Sequence, residues 1–231
     1  ETSLDGRMLA VKRMPNTWTC RDAREFDERY PETLENPWLD IAFLDLLGNV
    51  GFPYACRLHG VFRSADETFV ASSFCAEGDL FEWCWSEHLS RPGREREAQI
   101  RPIVAQVCAA VRWLHDLGIA HRDLSLENIL LTRSGPSLQV KIIDFGAATL
   151  RRTVQDEVTG KAAYRAPELH SGDDVDTFLA DAFALGVVFF AMASQDYPWA
   201  STRLGNCESF EYVWRFGLPS FLRTRRVRDS S

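Results

Sequence analysis

The chain has 231 residues, of which 45% are hydrophobic and 26% charged, and its formal net charge is −7. This length suits one sizeable domain or two small lobes, and the composition is ordinary for a globular protein with a hydrophobic core. The negative charge argues against a nucleic-acid binder, because such proteins present a basic patch to the phosphate backbone.

The first third of the chain reads mainly as β-strands. The segment "RMLAVKRM" (7–14) predicts a strand, and "RLHGVFRSADETFVASSF" (57–74) predicts two strands joined by a polar turn at 64–67. Between them, "WLDIAFLDLLGNV" (38–50) carries apolar residues at helical spacing and predicts a helix.

From Gly78 onward the pattern becomes mainly helical. Apolar residues recur at helical spacing in "IVAQVCAAVRWLHDLG" (103–118), whose final glycine is typical of a helix end. Short strands are predicted at 129–131 and 140–143. We therefore expect an α+β fold with a strand-rich lobe at 1–75, a helical lobe at 76–231 and a cleft between them.

The most apolar run is "FLADAFALGVVFFAMAS" (178–194), which predicts a helix buried on all sides within a domain. It contains Asp181 and is too short for a bilayer, so we predict no membrane span. The six cysteines are scattered without a C-x-x-C pair, so we predict neither a zinc site nor a disulfide framework. Reduced thiols make a cytoplasmic location the default expectation.

Four short motifs occur along the chain, and their order is informative about function. "AVK" ends at Lys12 on the first predicted strand, "HRDLSLEN" spans 121–128, "DFG" spans 144–146 and "APE" spans 166–168. In this order and on these elements, they resemble the motif set of eukaryotic protein kinases, over about residues 7–200. The resemblance implies a two-lobed kinase fold and an ATP-dependent kinase that acts on Ser or Thr of a protein substrate.

The resemblance assigns a task to each polar group, because phosphoryl transfer needs positioning and neutralisation of phosphate charge. Lys12 would hold the α- and β-phosphates of ATP. Asp144 and Asn128 would bind Mg²⁺, a cation that favours oxygen ligands. Asp123 would orient the substrate hydroxyl and receive its proton.

The resemblance also places the adenosine. The adenine ring would lie between Ala10 and Leu130 and against the backbone of 73–75. The small Ser72 would guard the back of the pocket, and Asp79 would bond the ribose. The nucleotide-contacting residues expected outside the motifs are therefore Ala10, Ser72, Ser73, Cys75, Asp79 and Leu130.

The chain departs from the family pattern at the partner of Lys12. The family places a Glu on the following helix, whereas the matching position here is Asp40, whose side chain is shorter by one C–C bond, about 1.5 Å. An Asp40 that makes no contact with Lys12 stays open as an alternative, and Glu35 is a further candidate.

A second departure concerns two positions near the catalytic Asp. Ser125 stands where Ser/Thr kinases usually carry Lys, and Lys161 stands where they usually carry Thr. We hypothesise that Lys161 reaches back and restores the positive charge near Asp123. A solvent-facing Lys161 is the alternative.

The chain begins at Glu1 and shows no glycine-rich phosphate loop, so we expect a preceding segment and leave secretion open. We also expect the natural protein to continue past residue 231, and leave open a regulatory segment or activator outside this chain. The segment "GDLF" (78–81) slightly resembles the calcium/calmodulin-dependent kinases.

A pseudokinase that acts as a nucleotide-binding or scaffold domain is the alternative function. Asp40, Ser125 and the absent glycine-rich loop favour it. The enzyme interpretation is favoured because four catalytic residues are all present: Lys12, Asp123, Asn128 and Asp144.

Overall fold

The computed structural model describes residues 2–4, 7–31, 33, 36–155 and 158–225. The chain divides into two compact units, one made of 1–78 and 130–148 and the other of 79–129 and 149–231. The lobe limits 1–75 and 76–231 stay a prediction.

The stretch 130–148, which the sequence placed with the second lobe, packs in the first unit. Its backbone explains why: the N–H of Leu131 donates to Gly78 O at 2.8 Å, and the N–H of Ile142 donates to Tyr54 O at 2.6 Å. These bonds tie both ends of the stretch to the first unit.

The first unit is built on an antiparallel sheet with strand order β1-β2-β4-β3, beside a two-stranded sheet β5-β6. The strands are β1 (Thr2–Leu4), β2 (Arg7–Pro15), β3 (Leu58–Arg63), β4 (Glu67–Ser73), β5 (Ile129–Ser134) and β6 (Ser137–Ile142). The predicted strands at 7–14 and within 57–74 are confirmed. The polar turn between β3 and β4 forms because Ser64 accepts from and donates to Glu67.

Two helices belong to the first unit: α1 (Ala23–Arg29) and α2 (Pro37–Asn49). Asn36 caps α2, because its side-chain oxygen accepts from the N–H groups of Trp38 and Leu39. The buried positions of α2 recur at helical spacing: Pro37, Asp40, Phe43, Leu44 and Leu47. This stripe carries a carboxylate, that of Asp40, into the interior.

The second unit is mainly helical. Its elements are α3 (Leu80–Trp85), α4 (Arg94–Asp116), β7 (Thr153–Val154), β8 (Val175–Asp176), α5 (Thr177–Ser194), α6 (Glu208–Phe216) and α7 (Leu218–Thr224). The helix predicted at 103–118 begins nine residues earlier, at Arg94. Its charged start hid it from the apolar pattern, although Glu95 and Glu97 in the first turn suit a helix N-terminus.

Helix α5 buries one face only, so the prediction of burial on all sides is wrong. Leu179 on the other face is 61% exposed. Among the described residues, α5 is long and apolar enough to cross a membrane by length and composition alone. This is weak evidence, since the core helix of a globular protein passes the same test. The absence of a membrane span therefore stays a prediction.

Candidate active site

Lys12 lies between two carboxylates in the first unit. Its Nζ is 3.5 Å from Asp40 Oδ2 and 3.9 Å from Asp144 Oδ1. Lys12 projects from β2 opposite Val70 of β4, and the buried stripe of α2 delivers Asp40. Of the two partners considered from the sequence, Asp40 makes the ion pair, whereas Glu35 lies outside the described residues.

Asp40 also holds the backbone of the "DFG" segment. Its Oδ1 accepts a 2.9 Å hydrogen bond from the N–H of Phe145, a fully buried residue. The N–H of Asn36 donates to Gly146 O at 2.9 Å, so α2 binds this segment at two points. Asp144, the residue before Phe145, adopts a left-handed conformation with φ 66°, which is uncommon for a residue other than glycine. The short Asp40 thus serves two partners at once.

Asp144 fits the role of a magnesium ligand. Its Oδ1 is buried and accepts no hydrogen bond from the residues that the structure describes; the nearby cation is Lys12 Nζ. Those residues contain no group of three or more His, Cys, Asp or Glu placed to hold a metal. Mg²⁺ is commonly bound by one or two carboxylates together with water and substrate phosphates, so such a group is not needed.

In the second unit, Asp123 and Asn128 are locked together. The amide nitrogen of Asn128 donates to Asp123 Oδ2 at 2.7 Å and to Asp123 O at 2.8 Å. Both side chains are largely buried, and these bonds close the loop between them. Because the amide nitrogen is engaged by Asp123, the amide oxygen of Asn128 is the atom left to bind a cation.

Asp181 of α5 binds the backbone of this loop. Its carboxylate accepts from the backbone N–H groups of His121 and Arg122, both at 2.8 Å, and contacts His115 Nε2 at 3.0 Å. Arg122 has φ 67°, a conformation that costs free energy and that these bonds hold in place. The contact with His115 was not predicted from the sequence.

Lys161 reaches the loop of Asp123, but its charge is shared. Its Nζ donates to Ser125 Oγ at 2.8 Å and lies 3.1 Å from Glu127 Oε2. Burial alone would raise the pKa of Glu127, but a backbone hydrogen bond and the charge of Lys161 lower it. Glu127 was not predicted as a partner of Lys161, although it lies next to Asn128 in the same motif. Restoration of charge at Asp123 by Lys161 stays a hypothesis.

Gly160 brings the segment before "APE" against the catalytic loop. It has φ 76°, and a Cβ at this position would lie 3.0 Å from Arg122 O and 3.3 Å from Asp123 Oδ1. The neighbouring Thr159 donates its hydroxyl to Arg122 O at 3.2 Å. Only glycine fits this backbone and this spacing without displacing the loop.

The residues expected around adenosine divide between the units. Ala10 and Ser72 are paired across β2 and β4, and Leu130 starts the stretch that returns to the first unit. Cys75 is buried 3.6 Å from the sulfur of Cys56. In the same unit, Ser73 Oγ lies 3.1 Å from His59 Nε2.

Asp79 belongs to the second unit and has a structural task. Its Oδ1 accepts from the N–H of Glu82 at 2.8 Å and so caps α3. A contact between Asp79 and ribose stays a prediction, as do the other nucleotide contacts.

A family model described as "Protein kinase domain" matches residues 30–215. The chain is 32% identical over 154 residues to serine/threonine-protein kinase kin-29 of Caenorhabditis elegans, covering 66% of this chain and 18% of that protein. It is 29% identical over 195 residues to a serine/threonine-protein kinase SIK3 homolog of Danio rerio, covering 84% and 16%. It is 26% identical over 237 residues to serine/threonine-protein kinase PRR2 of Saccharomyces cerevisiae, covering 99% and 31%.

The chain thus spans less than a third of the length of these curated relatives. Lys12 lies before the residues that the family model matches, so its assignment rests on the ion pairs with Asp40 and Asp144. The match covers most of the chain and includes the "HRD", "DFG" and "APE" motifs. The chain belongs to the protein kinase domain family and has its two-lobed α+β fold.

Proposed function

We propose that this domain transfers the γ-phosphoryl group of ATP to a Ser or Thr hydroxyl of a protein. Membership of the family implies ATP as the phosphoryl donor. The names of the relatives, which are serine/threonine-protein kinases, support the choice of acceptor. The observation that carries the proposal is the arrangement of Lys12 between Asp40 and Asp144, with a buried carboxylate oxygen of Asp144 that accepts no hydrogen bond from the described residues.

Each residue of the candidate active site has a defined role in this reaction. Lys12, oriented by Asp40, binds phosphate oxygens and offsets their charge. Asp123, oriented by Asn128, accepts the proton of the substrate hydroxyl. Asp144 and Asn128 would each offer an oxygen ligand to Mg²⁺, which would offset further charge on the phosphates.

The test is transfer of radiolabelled γ-phosphate to a degenerate peptide library by the full-length protein that contains this domain. We compare it with Asp144→Asn and Asp123→Asn, and with Asp116→Asn as a control, because Asp116 lies at the exposed end of α4. We expect transfer to Ser and Thr by the parent and the control. Loss of one catalytic group typically lowers the rate by about 10²-fold or more.

A thermal-shift measurement with Mg·ATP accompanies the assay. Binding of nucleotide without any transfer by the parent protein would overturn the enzymatic proposal and favour the pseudokinase. A cytoplasmic location, a regulatory segment outside this chain and the weak calcium/calmodulin leaning stay expectations.

A further inference from the structure

The second unit contains a cavity of about 460 Å³ beside the segment that leads into "APE". Two arginines and a histidine line it, namely Arg165, Arg203 and His170, and none of its lining residues within the described ranges 36–155 and 158–225 is acidic. This is unusual in a chain of net charge −7. The other lining residues are small, polar or aliphatic, so the cavity has a cationic wall and room for a side chain.

The guanidinium of Arg165 is fixed in place and still has capacity to bind. Its Nε donates to Thr159 O at 3.1 Å and to Gly160 O at 2.7 Å. The other two guanidinium nitrogens bind no described residue. An arginine whose Nε is held while its terminal nitrogens remain open presents a planar fork that suits a carboxylate or phosphoryl group.

Arg203 adds a second positive charge. It is exposed and makes no ion pair within the described part of the chain, whereas Arg152 and Arg225 nearby in the same unit each pair with an aspartate. Its side chain can therefore turn toward an anion without breaking an existing contact.

The pKa of His170 is affected by the positive charges of both arginines. Burial first, and then the positive charges of Arg165 and Arg203, lower the pKa of His170. Its Nε2 contacts Thr202 Oγ1 at 3.0 Å, and this hydroxyl donates to Arg165 O at 2.9 Å. The histidine and the two arginines thus belong to one connected wall.

The cavity lies close to Asp123. Gly160 links them, because its carbonyl binds Arg165 and a Cβ on it would be 3.3 Å from Asp123 Oδ1. The guanidinium is therefore on the order of 10 Å from the carboxylate, a span that about three extended residues cover.

We propose that this cavity binds an anionic side chain of the protein substrate, within about three residues of the Ser or Thr that receives phosphate. The anion is a carboxylate of Asp or Glu, or the phosphoryl group of a residue already phosphorylated. The inference rests on the proposed function, since it names the substrate class of the same site.

The test uses peptides with one Ser in a neutral background and a single Asp placed in turn at each position up to four residues on either side. A second set carries phosphoserine instead of Asp, which distinguishes the two sources of the anion. For the full-length protein we expect kcat/KM to rise roughly tenfold, relative to the neutral parent peptide, when the anion occupies one register.

Arg203→Glu is the decisive variant, because the side chain of Arg203 holds no other part of the fold among the described residues. We expect the ratio of its kcat/KM on the acidic peptide to that on the neutral peptide to fall to about one or below, and the matching Lys peptide to be favoured. Arg215→Glu on α6 is the matched control and should behave as the parent does. Arg165→Gln should also lose the preference, although it loses two bonds to backbone carbonyls as well.

Failure of this inference differs from failure of the proposed function. Equal kcat/KM for neutral, Asp and phosphoserine peptides, or an unchanged preference in Arg203→Glu, would overturn the inference and leave the kinase proposal intact. If no peptide is phosphorylated, fluorescence anisotropy of the labelled Asp and phosphoserine peptides decides. Binding that Arg203→Glu weakens at least about fivefold would support the anionic site, and equal binding would overturn it.

Discussion

The amine of Lys161 donates a 2.8 Å hydrogen bond to the hydroxyl of Ser125. Ser125 is fully buried, two residues after Asp123, so this bond joins the segment before "APE" to the catalytic loop. Two of the positions that differ from the usual Ser/Thr kinase pattern, Ser125 and Lys161, are therefore in direct contact. This contact is what an exchange of the two residues would require.

A double-mutant cycle on this pair tests whether the two residues were exchanged. We expect Lys161→Thr alone to lower kcat about tenfold, because a positive charge is removed from the loop. Ser125→Lys alone should also lower it, since two ammonium groups would then meet in a buried site. The double variant should recover toward the parent, and purely additive losses in kcat would contradict the exchange.

Substitutions at Asp40 should separate its two tasks. Asp40→Ala leaves the buried N–H of Phe145 without its acceptor, so we expect the free energy of unfolding to fall by about 1–3 kcal/mol. Asp40→Asn keeps an acceptor but loses the charge that orients Lys12. It should stay within about 1 kcal/mol of the parent in urea unfolding while its affinity for ATP falls.

Asp45→Ala on the same helix is the control, because its side chain is exposed and, in the part of the chain that the structure describes, binds only Asn49, four residues further on. Its stability should change by no more than about 0.5 kcal/mol. Equal losses of stability in Asp40→Asn and Asp40→Ala would show that the hydrogen bond to Phe145 is not what Asp40 contributes.

Arg96 should be among the residues most important for stability of the second unit. It is fully buried, and its guanidinium donates to the carbonyl oxygens of Met192, Ser90 and Cys84. Arg96→Met removes all three bonds. Cys84 O keeps the bond from Gln195 Nε2, whereas Met192 O and Ser90 O lose their guanidinium donor, so we expect a loss of about 3 kcal/mol in the free energy of unfolding. The exposed Arg101→Met should cost less than about 0.5 kcal/mol. If Arg96→Met lost no more unfolding free energy than Arg101→Met does, the role of Arg96 in stability would be refuted.

Asp176 should make the stability depend on pH in the acid range. Burial alone would raise its pKa, but hydrogen bonds from Arg152, Leu179 and Phe178 lower it from the ordinary value of 3.8. The unfolded state therefore binds the proton first, and stability is lost as pH falls through the lower folded-state pKa. Asp176→Asn keeps an oxygen to cap α5 but cannot titrate.

We expect the difference in unfolding free energy between the parent and Asp176→Asn to be largest above pH 3.8 and to shrink toward pH 2.5. Urea unfolding at stepped pH measures it, with Asp173→Asn, in an exposed turn, as the control. A difference that stays constant from pH 6 to pH 2.5 would mean that this carboxylate does not contribute.

The sequence predicted elements where the pattern of apolar residues was clear. The strands β2, β3 and β4 and the helix α2 follow from alternation and helical spacing. Helix α1 was missed because "AREFDER" has one large apolar residue, Phe26, and its start depends on capping by Asp22. The first turns of α4 were missed for the same reason, since a charged run resembles a solvated surface.

The residues of the candidate site were likewise predicted where a local sequence pattern marks them, and missed where none does. Motif order predicted Lys12, Asp123, Asn128 and Asp144, because each occupies a fixed place relative to a strand or loop. Contacts between distant parts of the chain carry no local signal. The bond from Asp40 to the N–H of Phe145 joins positions 105 residues apart, and those of Arg96 depend on carbonyl groups that every residue possesses.

Because a Cβ on Gly160 would lie only 3.0 Å from Arg122 O, the main chain of the segment before "APE" packs closely against the loop of Asp123. A side chain between the two segments could change its rotamer when one of them moves, whereas a contact between main-chain atoms has no such freedom. Any displacement of one segment must therefore be transmitted to the other. An anion that displaces Arg165 would also displace the Gly160 carbonyl that Arg165 binds, next to the side chain of Asp123.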